Sequence, residues 1–314
     1  MNLFATILTY PAPTSNYRGE SEENRTIIQK ITEDRFEYPV ISPEAMRNAL
    51  REVLRGYGLP CNRERLTNEE QLAVQYRDYP WPEEYVDDFF FGYMVADRKQ
   101  IPKEIIKERN FQFKRDSILR MNLAKALDPY RHDALFTQSP LAIKNERSPW
   151  QNATTSVLLY REMAVSSFQY PFAINLNDCC LDKGEKHKEW FSLLLKAISE
   201  LNSVAGNHAR SYYEMAPASI LIRLSESLVA GYNTYGFERD SSFKEVTDGI
   251  LHGDYPGSEF YFGGEIVRKS LNHETQGKLI EKGAHLFRMA NQALDFVSRQ
   301  ITGKGFIGND KEEN

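Results

Sequence analysis

The most constraining stretch of this chain is Tyr38-Pro39-Val40-Ile41-Ser42-Pro43-Glu44, where an apolar, strand-like run turns into a helix at a well-marked point. Ser42 is a strong N-cap residue, and Pro43 suits the first helical position because it has no N–H to lose there. Ala45, Met46, Ala49, Leu50, Val53 and Leu54 recur at helical spacing and predict a buried face. Gly56-Tyr57-Gly58 is a plausible C-cap region. Arg47, Arg51 and Arg55 fall four apart on another face. Like charges at that spacing repel, so the stripe gains from an anion.

Around this helix the pattern predicts an α+β chain. Leu3 to Tyr10 reads as a buried strand bounded by Pro11 and Pro13, followed by a polar loop over Asn16–Asn24. Thr26–Thr32 and Phe36–Ile41 read as a hairpin turning at Glu33-Asp34. From 61 to 127 the character changes: an acidic, aromatic part containing Phe89-Phe90-Phe91 precedes a basic part. That basic part, Arg98 to Arg131, carries ten Lys or Arg against four acids. We read 61–127 as an inserted, mostly helical subdomain. Its charge suits a solvated face, a nucleic-acid surface or a contact with a neighbouring subunit.

Thr154–Tyr160 and Met163–Asn175 read as a long projecting hairpin within about 134–172, with Phe136, Gln138, Leu141 and Trp150 at its exposed part or in the core. Lys186–Val204 reads as a helix, Ala218–Leu224 as a strand, Gly231–Gly264 as loops, and Thr275–Ile301 as a last helix. A polar tail follows over 304–314. Strand, helix, two strands, helix, strand is the split βαβ order of a ferredoxin-like (RRM-like) sheet with helices on one face, here built from 1–60 and 128–303.

The chemistry points to binding. No P-loop, GxSxG, HExxH or CxxC pair is present, and no two of the six histidines stand at metal-ligand spacing. Three cysteines, two of them adjacent, fit a reducing compartment. The first residues lack a basic region before an apolar core, and no apolar run approaches the ~20 residues that span a bilayer. The expectation is a cytoplasmic protein with no membrane contact and no cofactor. The net charge of −5 over 314 residues disfavours a general nucleic-acid binder but leaves room for a local cationic path. Such a path is legible in Arg18, Arg25 and Lys30 beyond the first strand, Arg47 and Arg51 on the helix, and Arg210 in the loop Ala205–Ser211. Phosphates call for cations and carry no base identity. Tyr17 offers a π-face for a base. His208 could act as a base contact or a general base, and Glu20, Glu22 and Glu23 could hold magnesium or simply be solvated.

Several segments occur in the order found in a known family. They are Leu3–Arg25; Tyr38–Ser42 with Ala45–Arg51; Asp133–Phe136; Val165–Ser167 through Phe172–Leu176; and Ala205-Gly206-Asn207-His208-Ala209-Arg210-Ser211-Tyr212. In these the chain resembles the repeated backbone subunit of type I CRISPR Cascade complexes, in the RAMP superfamily and its DevR (autoregulator) subgroup. The resemblance implies a ferredoxin-like palm, a helical fingers insertion and a hairpin thumb. It also implies a non-catalytic protein whose copies stack head to tail along one CRISPR RNA beside other Cascade subunits. The guide, not the protein, then pairs with target DNA. By position it assigns RNA contacts to Asn16, Tyr17, Arg18, Arg25, Arg47, Asn48, Arg51, Asn207, His208 and Arg210, and Lys30 and Ser42 join the expected RNA-binding set. Relatives often carry two adjacent basic residues where this chain has Arg47-Asn48. Two other functions fit the same residues: a RAMP endoribonuclease using His208 or a loop acid on guide precursor or target RNA, and an autoregulatory nucleic-acid-binding protein.

Overall fold

Strand β1 (Asn2–Thr9) lies inside a mixed sheet of nine strands among the described residues. The others are β2 (Lys30–Glu33), β3 (Phe36–Ile41), β4 (Leu119–Met121), β5 (Ala124–Ala126), β6 (Phe168–Asn175), β7 (Pro217–Ser225), β8 (Phe260–Gly264) and β9 (His285–Phe287). The computed structural model describes residues 1–15, 17–22, 25–65, 74–96, 99, 101–138, 158–204 and 213–307. The strand order is β9-β8-β7-β1-β6-β5-β3-β2, with β4 also on β6. β1 runs antiparallel to both neighbours, Ala5 facing Phe172 of β6 and Ile222 of β7.

Seven α-helices accompany the sheet among the described residues: α1 (Pro43–Gly56), α2 (Val86–Phe91), α3 (Lys103–Glu108), α4 (Glu185–Ser199), α5 (Lys244–His252), α6 (His273–Glu281) and α7 (Ala290–Thr302). Alternation along β1 divides the core, because successive side chains of a strand point to opposite faces. Leu3, Ala5 and Ile7 pack in one cluster with Met46 and Leu50 of α1, Phe191 and Leu194 of α4, and Leu294 of α7. On the opposite face Leu8 joins Leu221, Phe260, Phe262, Val246 and Ile250 of α5, and Leu279 of α6. No helix among the described residues is long and apolar enough to cross a membrane.

Several expectations need correction. The segment after the first strand is not a loop: Tyr17–Glu22 and Arg25–Ile28 are strands of a separate sheet. The hairpin turns one residue later than expected, over Asp34 and Arg35, with Asp34 at φ 55° and Glu33 opposite Phe36. The stretch 61–127 is not mostly helical, since its described residues hold only two α-helices, the six-residue α2 and α3. It also holds two short antiparallel pairs, Arg63–Arg65 with Val74–Tyr76 and Tyr93–Met94 with Lys114–Arg115. Its last part, β4 and β5, belongs to the main sheet. The projecting hairpin pairs Ala134–Gln138 with Leu158–Glu162, while Phe168–Asn175 lies inside the main sheet instead.

The Gly231–Gly264 stretch is not all loop, because α5 and the fully buried β8 lie within it. Gly263 and Gly264 signal a close approach there: a Cβ on Gly263 would stand 2.8 Å from Cβ of Ala293, and one on Gly264 2.1 Å from the Ala218 carbonyl oxygen. The helix expected over 186–204 stops at Ser199. The final long helix is two, separated by Gly283 at φ 91° and strand β9.

Candidate nucleic-acid interface

The start of α1 is built as its sequence requires. Ser42 Oγ accepts the Ala45 N–H at 3.2 Å, leaving the side chain of this expected contact residue committed to the cap. Beyond it the arginine stripe divides by environment. Arg47 is half-buried, and its Nε has no hydrogen-bond partner. Burial lowers the basicity of its guanidinium, Glu44 opposes this, and Arg63 adds to it. Arg51 is withdrawn, with 4% of its side chain exposed. Its Nε donates to Asp87 Oδ2 at 2.9 Å and its Nη1 to Asn48 Oδ1 at 2.6 Å. Arg55 donates to Glu52 and to the Arg63 carbonyl. Of the three, Arg47 is the one left to seek an anion.

The carboxylates behind this arrangement come from α2. Asp87 and Asp88 are both fully buried. Asp87 accepts the backbone N–H of Asn62 at 2.7 Å and of Arg63 at 3.1 Å, besides Arg51. Asp88 Oδ2 accepts Asn62 Nδ2 at 2.8 Å and the Trp81 N–H at 3.0 Å. Burial, with Asp87 beside it, pushes the Asp88 carboxyl up to about 6. Arg63 Nη2 donates to the Gly92 carbonyl at 2.7 Å and stands 3.6 Å from Asp88 Oδ1. Arg63, Asp87 and Asp88 were absent from the sequence reading. Their only local signal is an Asp pair against three phenylalanines, which marks acids drawn into an apolar site.

Lys30 is also engaged. Its Nζ lies 3.3 Å from Glu37 and 3.7 Å from the buried Glu162, and 4.2 Å over the ring of Tyr130. Tyr17, Arg18 and Arg25 fall on the strands Tyr17–Glu22 and Arg25–Ile28, and Arg25 is in parallel register with Tyr160. These strands therefore extend the hairpin of Ala134–Gln138 and Leu158–Glu162 into one four-stranded sheet. On that hairpin Phe136 and Tyr160 are exposed and their rings pair at 5.3 Å, with Gln138 exposed beyond them. At its root is a groove of about 750 Å³ whose lining includes Phe36, Tyr130, Arg131, His132, Leu135 and Val165. Exposed aromatic faces beside a groove suit the bases of a single-stranded nucleic acid.

Asn16, Leu141, Trp150, Asn207, His208 and Arg210 lie outside the described residues, as do the side chains of Glu20, Glu22 and Glu23. Among the described residues no group of three or more His, Cys, Asp or Glu is placed to hold a metal ion.

No family model matches the chain. A curated protein from Myxococcus xanthus (strain DK1622), named CRISPR-associated protein Cas7/Cst2/DevR, is 26% identical over 291 residues, covering 85% of this chain and 87% of its own. Solved structures share the fold, among them two surveillance-complex chains. A chain of a CRISPR RNA-guided surveillance complex in a pre-nicking state aligns with a TM-score of 0.61 at 11% identity, over 96% of this chain and all of its own. A chain of a second CRISPR RNA-guided surveillance complex aligns at 0.56 and 12% identity, over 96% of this chain and 99% of its own. The chain is thus similar in sequence to a Cas7/Cst2/DevR protein and similar in fold to surveillance-complex subunits, which supports the resemblance carried by its motifs.

Proposed function

We propose that this chain is a non-catalytic, CRISPR RNA-binding backbone subunit of a type I Cascade surveillance complex. Its copies would line up head to tail along the guide, next to other Cascade subunits, and leave the guide's bases free to pair with target DNA. The observation that carries the reading is Arg47. It is a half-buried cation with an unpartnered Nε at the start of a capped helix, in a chain whose other stripe arginines are neutralised.

The wider architecture supports it. The order β7-β1-β6-β4, with α1 between β1 and β4 and α4 between β6 and β7, matches the strand order of a ferredoxin-like palm. The segment between α1 and β4 has the place of a fingers insertion, and the Ala134–Glu162 hairpin that of a thumb. The contact set then centres on Arg47, which Asn48 and Arg51 support from behind and the Ser42 cap helps to place, so that Arg51 and Ser42 act through the fold and not by touching RNA. Lys30 and the strands carrying Tyr17, Arg18 and Arg25 lie beside the thumb, and Asn16, Asn207, His208 and Arg210 complete the set. Phosphate contacts of this kind hold the register of a guide and are indifferent to its sequence.

The test is binding of the purified chain to CRISPR RNAs of increasing length. The expected result is a protein count that steps up with RNA length and an affinity that Arg47→Ala lowers at least roughly tenfold, a loss on the scale of one buried charge-assisted contact. Absence of RNA binding, or a fixed one-to-one stoichiometry at every length, would sink the proposal.

A further inference from the structure

Arg51 and Arg63 meet Asp87 and Asp88 between α1, α2 and the strand Arg63–Arg65, and Arg47, one turn before Arg51, lies in the field of Arg63. The two buried carboxylates serve Arg51 and Arg63, while Arg47 keeps its charge with only the field of Glu44 against it. Where that charge sits is decided by hydrogen bonds. Asp87, fully buried, takes Arg51 Nε and the backbone of Asn62 and Arg63. Arg51 is further held by Asn48 Oδ1 and closed off from solvent, so it cannot swing toward Arg47. Arg63 Nη2 is anchored on the carbonyls of Asp87 and Gly92, and Gly92 itself is fixed, since a Cβ there would stand 2.3 Å from the Arg115 carbonyl oxygen. Arg47 alone remains without a hydrogen-bond or ion-pair partner among the described residues, though each of Arg47 and Arg63 lies within the other's field.

We infer that Asp87 is a positioning residue for the Arg47 anion site. By fixing Arg51 and the strand that carries Arg63, it keeps two like charges off the phosphate position and leaves Arg47 as the presented cation. The inserted segment therefore does more than cover α1: its carboxylate selects which arginine of the stripe meets an RNA phosphate. The inference rests on the guide-binding reading of α1. Without Asp87, Arg51 would keep its charge one turn from Arg47 and lose its counterion, and repulsion between unpaired like charges at that spacing would displace both.

The experiment is a double-mutant cycle, measuring affinity for a CRISPR RNA with wild type, Arg47→Ala, Asp87→Asn and the double variant, with thermal melts in parallel. The expected result is a loss of about tenfold from Asp87→Asn when Arg47 is present and less than about twofold in the Arg47→Ala background, since coupled neighbours are non-additive. A merely structural Asp87 costs the same in both backgrounds, and that outcome overturns the inference while leaving the guide-binding reading intact. If Arg47→Ala binds RNA as wild type does, the guide contact fails and the inference fails with it. Should Asp87→Asn not fold, Asn48→Ala takes its place, because Asn48 holds the other end of Arg51. A loss confined to the Arg47 background supports positioning, whereas equal losses make Asn48 a direct contact and overturn it.

Discussion

Arg51 of α1 and Asp87 of α2, 36 residues apart in sequence, pair at 2.9 Å with both side chains out of reach of solvent. The pair ties the insertion to the helix that precedes it. It also separates the arginine stripe into one residue that belongs to the fold and one, Arg47, that is available to a ligand. Removing one partner of a buried pair leaves a bare charge in a poorly solvated site, at a typical cost of 3–5 kcal/mol. Asp87→Ala is therefore expected to lower the unfolding free energy by about that much in urea titration. A loss under about 1 kcal/mol would mean that water reaches Arg51.

Arg47→Ala should behave in the opposite way. Its guanidinium gains no hydrogen bond in the free protein, so its removal should leave stability within about 0.5 kcal/mol of wild type or raise it. In RNA binding, the loss of one phosphate contact should reduce the slope of log affinity against log salt by about 0.7. An unchanged slope would show that Arg47 meets no phosphate.

Asp88 gives a pH signature. Its folded-state carboxyl is raised to about 6 from 3.8, chiefly by burial, so the fold favours the protonated form. The stability this contributes is fully present below about pH 4 and is lost as pH rises through about 6. Asp88→Asn removes the titration, so the variant should gain on wild type by roughly 3 kcal/mol between pH 4 and 7, an order-of-magnitude figure from about two pKa units. Chemical denaturation of both proteins across that range tests it, and a constant difference would mean that Asp88 titrates as an ordinary carboxyl.

Ser42→Ala removes the side-chain acceptor for the Ala45 N–H. A destabilisation of about 1 kcal/mol is expected, with the main effect on α1. Hydrogen exchange of the Ala45 and Met46 amides would report it locally. Unchanged protection there would place the cap elsewhere.

Gly264→Ala should be far worse. Gly264 sits at φ 94° and its missing Cβ would lie 2.1 Å from the Ala218 carbonyl oxygen, across the β7–β8 pairing. Neither strand can retreat without opening the sheet, so the variant is expected to lose its cooperative melt. A normal melting transition would show that the β7–β8 pairing can yield.

What was legible in the sequence was local. The cap at Ser42, the Pro43 start and the apolar face of α1 are set by neighbours within a few residues, and α1 runs over Pro43–Gly56. The turn between β2 and β3 was legible to within one residue for the same reason. Pairings made across long separations were not. Leu158–Glu162 could have joined the next strand, and it joins Ala134–Gln138 and Arg25–Ile28. Gly263 and Gly264 look like loop residues until Ala293 and Ala218 are seen against them. Within the candidate site, Arg47 and Arg51 are indistinguishable as sequence, since both are arginines on the same helix. Only Asp87, brought in by an insertion with weak periodicity, separates them.

The place of β1 has a consequence for how the chain is made. Asn2–Thr9 is hydrogen-bonded on one side to Phe168–Asn175 and on the other to Pro217–Ser225. This strand is thus synthesised well before both of its flanking strands, which follow it by more than a hundred residues. Until then its backbone groups have no permanent partners, and closing loops of this length slows folding. The strand at the centre of the sheet is thus among the last to be fully paired, and the cost of this topology falls on folding rate more than on stability.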